Sequence, residues 1–391
     1  MVSMIRIAMA VVAPTLMETY DISPATMGYI LSGWNWAYVP CQLIMGPVVD
    51  RFGSWMVMGL GAGAWSLSTI ALPLVATTAV SLFLLRALFG IGHSMIIPAQ
   101  ASSISRWFQS GQRSSALGFS FTGTLVGIAI GTTICAFLLD SLGWQSVFYW
   151  TGAANLLYAL IWFFFYPDRE VGLQAKLDAA KTETKRVSML SLLRYRSAWG
   201  LALGQFGSLY AYYVFVGWLP SYLVMERGMG ILRTGIVASL PFWMGTIGSI
   251  GGGWLGDYLI RRGLTHTVAR KAVVATGLMT ATFLVIAAAY TPQTWLAVTL
   301  LTLCMGALKV TTGSAQSMPI DLAPATSVAS LVSLQNFGGN IGGLLAPIVT
   351  GYILAATGSF TGALLTAGGV MTFGAFSYVF IVGRLPEHRP D

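Results

Sequence analysis

Ala79-Val-Ser-Leu-Phe-Leu-Leu-Arg86-Ala-Leu-Phe-Gly90-Ile-Gly-His93-Ser-Met-Ile-Ile-Pro-Ala99-Gln100-Ala101 decides how the rest of the chain is read. It is apolar over the roughly twenty residues that a helix needs to cross a hydrocarbon core, yet it holds an arginine and a histidine. Runs of this kind recur from end to end, predicting twelve spans at 1–17, 25–48, 55–76, 79–101, 113–138, 145–166, 198–223, 233–256, 270–290, 294–318, 326–353 and 359–383. The 391 residues are 55% hydrophobic and 9% charged, with a mean hydropathy of +0.73. That balance excludes a soluble globular domain and makes lipid the solvent. In lipid only helices or closed barrels satisfy every backbone group. The runs are continuous, not alternating, and the 45 glycines fall at spacings such as G-x-x-x-G that let helix backbones approach. An all-α membrane protein follows. Cys41, Cys135 and Cys304 sit in apolar runs without ligand or disulfide spacing and read as packing residues. No metal, cofactor or nucleic-acid partner is implied, and a monomer is expected. The first span is short, with Met1 almost inside it: either the helix starts half a turn into the bilayer or a natural amino-terminal extension is lacking.

The location of charge gives the orientation. Arg51, Arg106, Arg113, Arg261, Arg262, Arg270, Lys271 and Arg384, with the basic stretch Arg169 to Arg196, fall on one side of this arrangement, and Arg227 and Arg233 on the other. Short cytoplasmic loops retain positive charge, so both termini are expected in the cytoplasm of a multi-pass inner (plasma) membrane protein. Residues 167–197 are the one long polar stretch and read as a cytoplasmic linker between a bundle at 1–166 and a bundle with a short cytoplasmic tail at 198–391. The halves repeat. Gly46-Pro-Val-Val-Asp50-Arg51-Phe-Gly53 has a counterpart in Gly253-Trp-Leu-Gly256-Asp257-Tyr-Leu-Ile-Arg261-Arg262, with the aspartates 207 positions apart. Gly90, His93, Ala99 and Gln100 match Gly306, Lys309, Ala315 and Gln316 at an offset of 216, as Phe121-x-Gly123-x-x-x-Gly127 matches Phe337-x-Gly339-x-x-x-Gly343. Two six-helix halves related by an axis along the membrane normal fit this order.

The Asp50-Arg51-x-Gly53 segment and its weaker copy at Asp257 resemble the signature loops of the major facilitator superfamily. The resemblance implies a major facilitator fold, twelve transmembrane helices in two pseudo-symmetric six-helix bundles. It also gives Asp50, Arg51, Asp257 and Arg261 a gating role, since a carboxylate at a helix end can accept from arginine in one conformation and release it in another. Ser54 and Trp55 stand where the superfamily usually adds a basic residue. A narrower resemblance covers nearly the whole chain. Arg86-Ala-x-x-Gly90, Trp107-Phe108, Gly204-Gln205-Phe206 with Trp218-Leu-Pro220-x-Tyr222, Asp321-Leu-Ala-Pro324 and Asn336-Phe337-Gly-Gly339 are similar to the anion:cation symporter family. That family includes sialin, the vesicular glutamate transporters and bacterial hexonate and hexuronate symporters, and implies uptake of carboxylated metabolites, commonly with protons. This chain departs from the bacterial pattern: Ile5 precedes Arg6 where an aspartate is expected, His93 occupies a glutamate position, and Thr124 falls on a cavity glutamine.

None of the 13 acidic residues falls in the middle of a predicted span, whereas Arg6, Arg86 and Lys309 do. Each costs about 2.5–3.5 kcal/mol on insertion scales. An anionic substrate is the simplest missing partner. Arg6 is the first candidate for a carboxylate because its guanidinium presents two parallel donors at any pH, against snorkelling from a short first span. Arg86 divides between substrate contact and pairing with helix carboxyl ends. Lys309 is paired by the repeat with His93, and a histidine can load and release a proton near neutral pH, as an acid would otherwise do. Tyr38, Thr124, Gln316 and Asn336 suit hydroxyl recognition, or serve as interhelical glue worth well under about 2 kcal/mol; Tyr38 and Asn336 also match family binding positions. In Tyr210-Ala-Tyr-Tyr-Val-Phe one face borders the cavity and most rings read as lipid or packing contacts.

These residues predict a secondary active transporter that takes up a small organic anion, a carboxylate such as a sugar acid, with proton symport by alternating access. Uncoupled or exchange-type transport, and a sensor that kept the fold, are the alternatives. A membrane enzyme would need paired acids, a metal cluster or an activated nucleophile, and neither H-E-x-x-H nor G-x-S-x-G is present. A proton/drug antiporter fits less well, since Gly123-Thr-Leu-Val-Gly127-Ile-Ala-Ile-Gly131 lacks the proline of that class and a cationic cavity repels cationic drugs.

Overall fold

A computed structural model describes residues 2–75, 78–107, 113–166, 193–322 and 328–383. Most of the linker expected at 167–197, the end of the tail from Arg384 and the Asp50 side chain lie outside the described residues. The described chain is helical: α1 Val2–Thr19, α2 Pro24–Phe52, α3 Ser54–Val75, α4 Ala79–Ser94, α5 Ile96–Trp107, α6 Arg113–Leu142 and α7 Trp144–Phe165. It continues with α8 Arg196–Ser221, α9 Ile231–Arg261, α10 His266–Tyr290, α11 Thr294–Leu322, α12 Val328–Thr357 and α13 Thr361–Phe376. Short π-helical turns, Tyr222–Glu226 and Ser377–Ile381, extend α8 and α13. Counting α4 and α5 as one span, these are the twelve expected, and eight of the described helical stretches are by themselves long and apolar enough to cross a membrane.

Between α4 and α5 a span predicted as one continuous helix is broken in two. Pro98 has no N–H for the carbonyl of Ser94, so the helix loses a rung and turns at Met95, whose N–H reaches back to Gly92 at 3.3 Å. His93 is left in the last turn before the kink.

Helix ends follow local chemistry. Ser23 caps α2, accepting from the Thr26 N–H at 3.2 Å with Pro24 at the first helical position. Asp50 and Arg51 lie in the last turns of α2, and Gly53 follows at φ 80° with its N–H on the Val49 carbonyl. Glycine in that motif therefore answers to backbone geometry. Its counterpart after Arg261-Arg262 is Gly263, at φ 96°.

The chain divides into two compact units, Met1–Thr184 with Leu223–Ile236, and Lys185–Tyr222 with Val237–Asp391. Inside the first, α2 packs on α4, α3 on α7 and α1 on α6. Inside the second, α10 packs on α13 and α8 on α12, and α9 meets α11. These are the same pairings at corresponding positions. They are made by backbone approach, since a Cβ on Gly90 would overlap the Trp34 carbonyl and one on Gly252 would overlap Val310. Cys135 and Cys304 are fully buried packing residues, and Cys41 is half-buried.

At the end of the last helix the Val379 and Val382 carbonyls accept from Lys271 Nζ at 2.9 and 2.6 Å, and Phe380 accepts from Arg196 at 2.7 Å. Two cations thus close the negative end of a helix. The backbone contacts give a stability prediction. Gly90→Ala and Gly252→Ala should each lower the melting temperature of the purified protein by about 1–4 °C. Gly63→Ala, where an added Cβ meets nothing within 4 Å, should leave it unchanged.

Candidate functional site

Three of the charges read from the sequence converge inside the first unit. Arg6 lies early in α1, Arg86 in the middle of α4, and His93 two turns further along α4 on the same face. They are 8%, 3% and 9% exposed, and Arg6, Arg86 and His93 lie within electrostatic range of one another. Aromatic rings lie beside each of them. The Arg6 guanidinium stands 5.6 Å from the Trp34 centroid, and that of Arg86 stands 5.3 Å from Phe89. The His93 ring is enclosed by Tyr38 at 5.1 Å, Trp34 at 5.2 Å and Phe89 at 5.6 Å.

Polar atoms here are only partly satisfied. Tyr38 accepts at its hydroxyl from Gln42 at 3.3 Å, whereas Arg86 Nε and His93 Nδ1 are buried with no hydrogen-bond partner among the described residues. Both polar atoms of Asn35, next to Trp34 on α2, are in the same condition. Arg86 borders a small cavity faced by Ile5, Ser68, Thr69 and Phe148. Ile5, where the family resemblance places an aspartate, gives that cavity an apolar wall. Pairing of Arg86 with a helix carboxyl end, the alternative reading, is not among its described contacts. Thr124 lies one turn before Gly127, which faces Ser3. It is therefore beside the first residues of α1, displaced from the level of Arg6.

In the second unit Lys309 Nζ stands 3.6 Å above the Tyr212 ring, with its stem against Gly245. Gln316, half-buried, is two turns further along the same face of α11. Asn336 on α12 is half-buried, and its carbonyl accepts from Asn340 at 2.9 Å. Tyr210, Tyr212, Tyr213 and Phe215 are all buried, so this aromatic run packs inside the protein. A polar network runs beside it: Tyr378 donates to Gln205 at 2.9 Å, and Gln335 donates to Tyr378 at 3.2 Å and to the Ala315 carbonyl at 2.9 Å. Sequence reasoning quoted Gln205 in a motif but did not join it to Gln335 and Tyr378, and it missed Trp34, Phe89 and Tyr212 as ring partners of the cations.

Of the gating residues, Arg51 is exposed with its guanidinium 5.3 Å from Phe52, and Arg261 is exposed at the end of α9. Asp257 accepts from Arg270 at 3.1 Å, and Arg270 also approaches Asp321 at 3.6 Å. Arg270 is the unforeseen member: from sequence it counted only as one charge on the cytoplasmic side. Among the described residues no group of His, Cys, Asp and Glu could hold a metal ion.

The description Major Facilitator Superfamily belongs to the family model that matches residues 1–269. A D-galactonate transporter of Escherichia coli O6:H1 is 31% identical, covering 97% of this chain and 91% of its own. A probable galactarate/D-glucarate transporter of Bacillus subtilis is 31% identical over 97% and 88% of the two chains, and a hexuronate transporter of Bacillus subtilis is 29% identical over 96% and 90%. The crystal structure of a bacterial homolog of the human lysosomal transporter Spinster, inward-facing and occupied, has the same fold. It gives a TM-score of 0.77 at 20% identity and covers 97% of this chain and 91% of that one.

The two ion pairs of Arg270 differ in worth. The Asp257 side chain is 60% exposed and the Asp321 side chain 22%. An exposed pair contributes under about 1 kcal/mol, whereas removing a carboxylate from a partly buried cation costs more. Asp321→Asn should therefore lower the melting temperature more than Asp257→Asn. Equal shifts would contradict this ranking.

Proposed function

We propose that this chain, which belongs to the Major Facilitator Superfamily, takes up a small carboxylated organic anion of the sugar-acid class together with a proton, by alternating access. The observation that carries the reading is the convergence of Arg6, Arg86 and His93 in the buried interior of one unit. Relatives covering nearly the whole length are named as a transporter of galactonate, a probable transporter of galactarate or glucarate, and a transporter of hexuronate, all of which are sugar acids. In this reading the Arg6 fork takes the carboxylate and Arg86 adds positive potential. Tyr38, Lys309, Gln316 and Asn336 recognise the remainder, and Thr124 contributes from the start of α6. His93 carries the proton in place of an acid, and anion and imidazolium attract each other, so symport follows from mutual stabilisation. Asp50, Arg51, Asp257 and Arg261 serve a cytoplasmic gate, and both termini lie on that side. The protein acts as a monomer.

Arg6→Lys keeps the charge and loses the fork. Both Arg6→Lys and Arg6→Ala should raise KM for D-galactonate in proteoliposomes by about tenfold or more. Wild-type affinity in both variants would remove Arg6 from the site.

Coupling is separable from binding. His93→Gln should abolish uphill accumulation driven by a pH gradient and leave counterflow intact, because exchange moves no net proton. Gradient-driven accumulation that survives the substitution would make His93 structural.

A further inference from the structure

We propose that Trp34 is a positioning residue for transport, holding the Arg6 guanidinium and the His93 imidazole against one indole so that anion capture at the first is transmitted to the second. The proposal rests on the roles of Arg6 and His93 given above. Trp34 is 3% exposed, so its ring is committed to the interior. The guanidinium lies 5.6 Å from its centroid, and the imidazole 5.2 Å away at an interplanar angle of 63°. Tyr38 and Phe89 complete the enclosure of His93 and also meet Trp34, with centroids 5.3 and 6.5 Å from it. Among the described residues, the charged or titratable groups facing His93 are Arg6 from α1, Tyr38 from α2 and Arg86 from α4, and none of these is a carboxylate.

An aromatic face attracts a cation through its quadrupole, and indole does so best. It does for an imidazolium part of what an acid would do by charge. Here guanidinium and imidazole draw on the same ring. An anion that pulls Arg6 from the indole releases that attraction to a protonated His93, and a proton on His93 makes it easier for Arg6 to leave. Anion binding and proton uptake therefore favour each other without a hydrogen bond between the two groups. The indole is held where it is by packing, since Trp34 is buried and its ring meets those of Tyr38 and Phe89.

Trp34→Phe keeps a π face, and Trp34→Leu keeps apolar bulk without one. With D-galactonate in proteoliposomes, the Leu variant should raise KM about tenfold and flatten the pH profile of uptake. The Phe variant should stay within about threefold and keep the profile. Equal KM and equal profiles in the two variants would overturn the proposal, since packing alone does not distinguish them. Tryptophan emission of the purified protein, followed as pH is lowered, gives a readout that needs no substrate. A protonated imidazole quenches an indole it touches, so a quenching step in the wild type should be absent from both Trp34→Phe and His93→Gln. If D-galactonate is not transported but that pattern holds, the substrate reading fails and the Trp34–His93 link stands. A step that survives His93→Gln, or no step in the wild type, overturns the link whatever the substrate.

Discussion

Positive charge buried inside a helical bundle is the constraint to which the rest of this structure answers. An arginine or lysine at mid-membrane costs about 2.5–3.5 kcal/mol on insertion scales. Each of the three cations read as intramembrane lies over an aromatic ring: Arg6 on Trp34, Arg86 on Phe89 and Lys309 on Tyr212. A desolvated cation–π contact returns about 2 kcal/mol or more, comparable to that cost. In the proposed reading a bound anion stabilises Arg6 and Arg86 further, so that these two buried charges serve binding.

Helix contacts place those charges. Gly90 lets α4 press its backbone on α2 at Trp34, and the same contact one turn from His93 fixes how the imidazole meets the indole. The kink left by Pro98 ends α4 just after His93, where a straight helix would have carried the chain on in register. In the second unit the same helix pairing recurs through Gly252 and Val310, yet the residue matched to His93 is Lys309, which sits on Tyr212 of α8. The repeat thus preserves the scaffold and lets each half hold its cation on a ring from a different helix.

The fold was legible because lipid imposes one demand on every span, and continuous apolar runs are its direct trace. Helix ends were less so. The span expected at 25–48 belongs to a helix reaching Phe52, and that at 233–256 to one reaching Arg261, because polar terminal turns such as Asp50-Arg51 continue a helix beyond the apolar core. Arg6, Arg86 and His93 were legible as chemistry out of place in an apolar run. Their ring partners were not: Trp34 and Phe89 look like any other aromatic in a span, and only the pairing of α2 with α4 brings them to the charges. The link from Tyr378 to Gln205 joins residues 173 positions apart, a separation at which no periodicity leaves a signal. Arg270, likewise, reads as a loop charge until α9 and α11 bring Asp257 and Asp321 beside it.

The central claim is that the buried cations form a site for an organic anion, and thermal unfolding of the purified wild-type protein against matched ligands tests it most directly. D-galactonate, D-glucarate and D-glucuronate would be compared with uncharged D-galactose and D-glucose at equal ionic strength. A ligand at one hundred times its Kd stabilises by about 2.7 kcal/mol, so at least one acid should raise the melting temperature saturably while the neutral sugars leave it unchanged. Equal stabilisation by an acid and its neutral counterpart would show that the site does not read negative charge and would contradict the account.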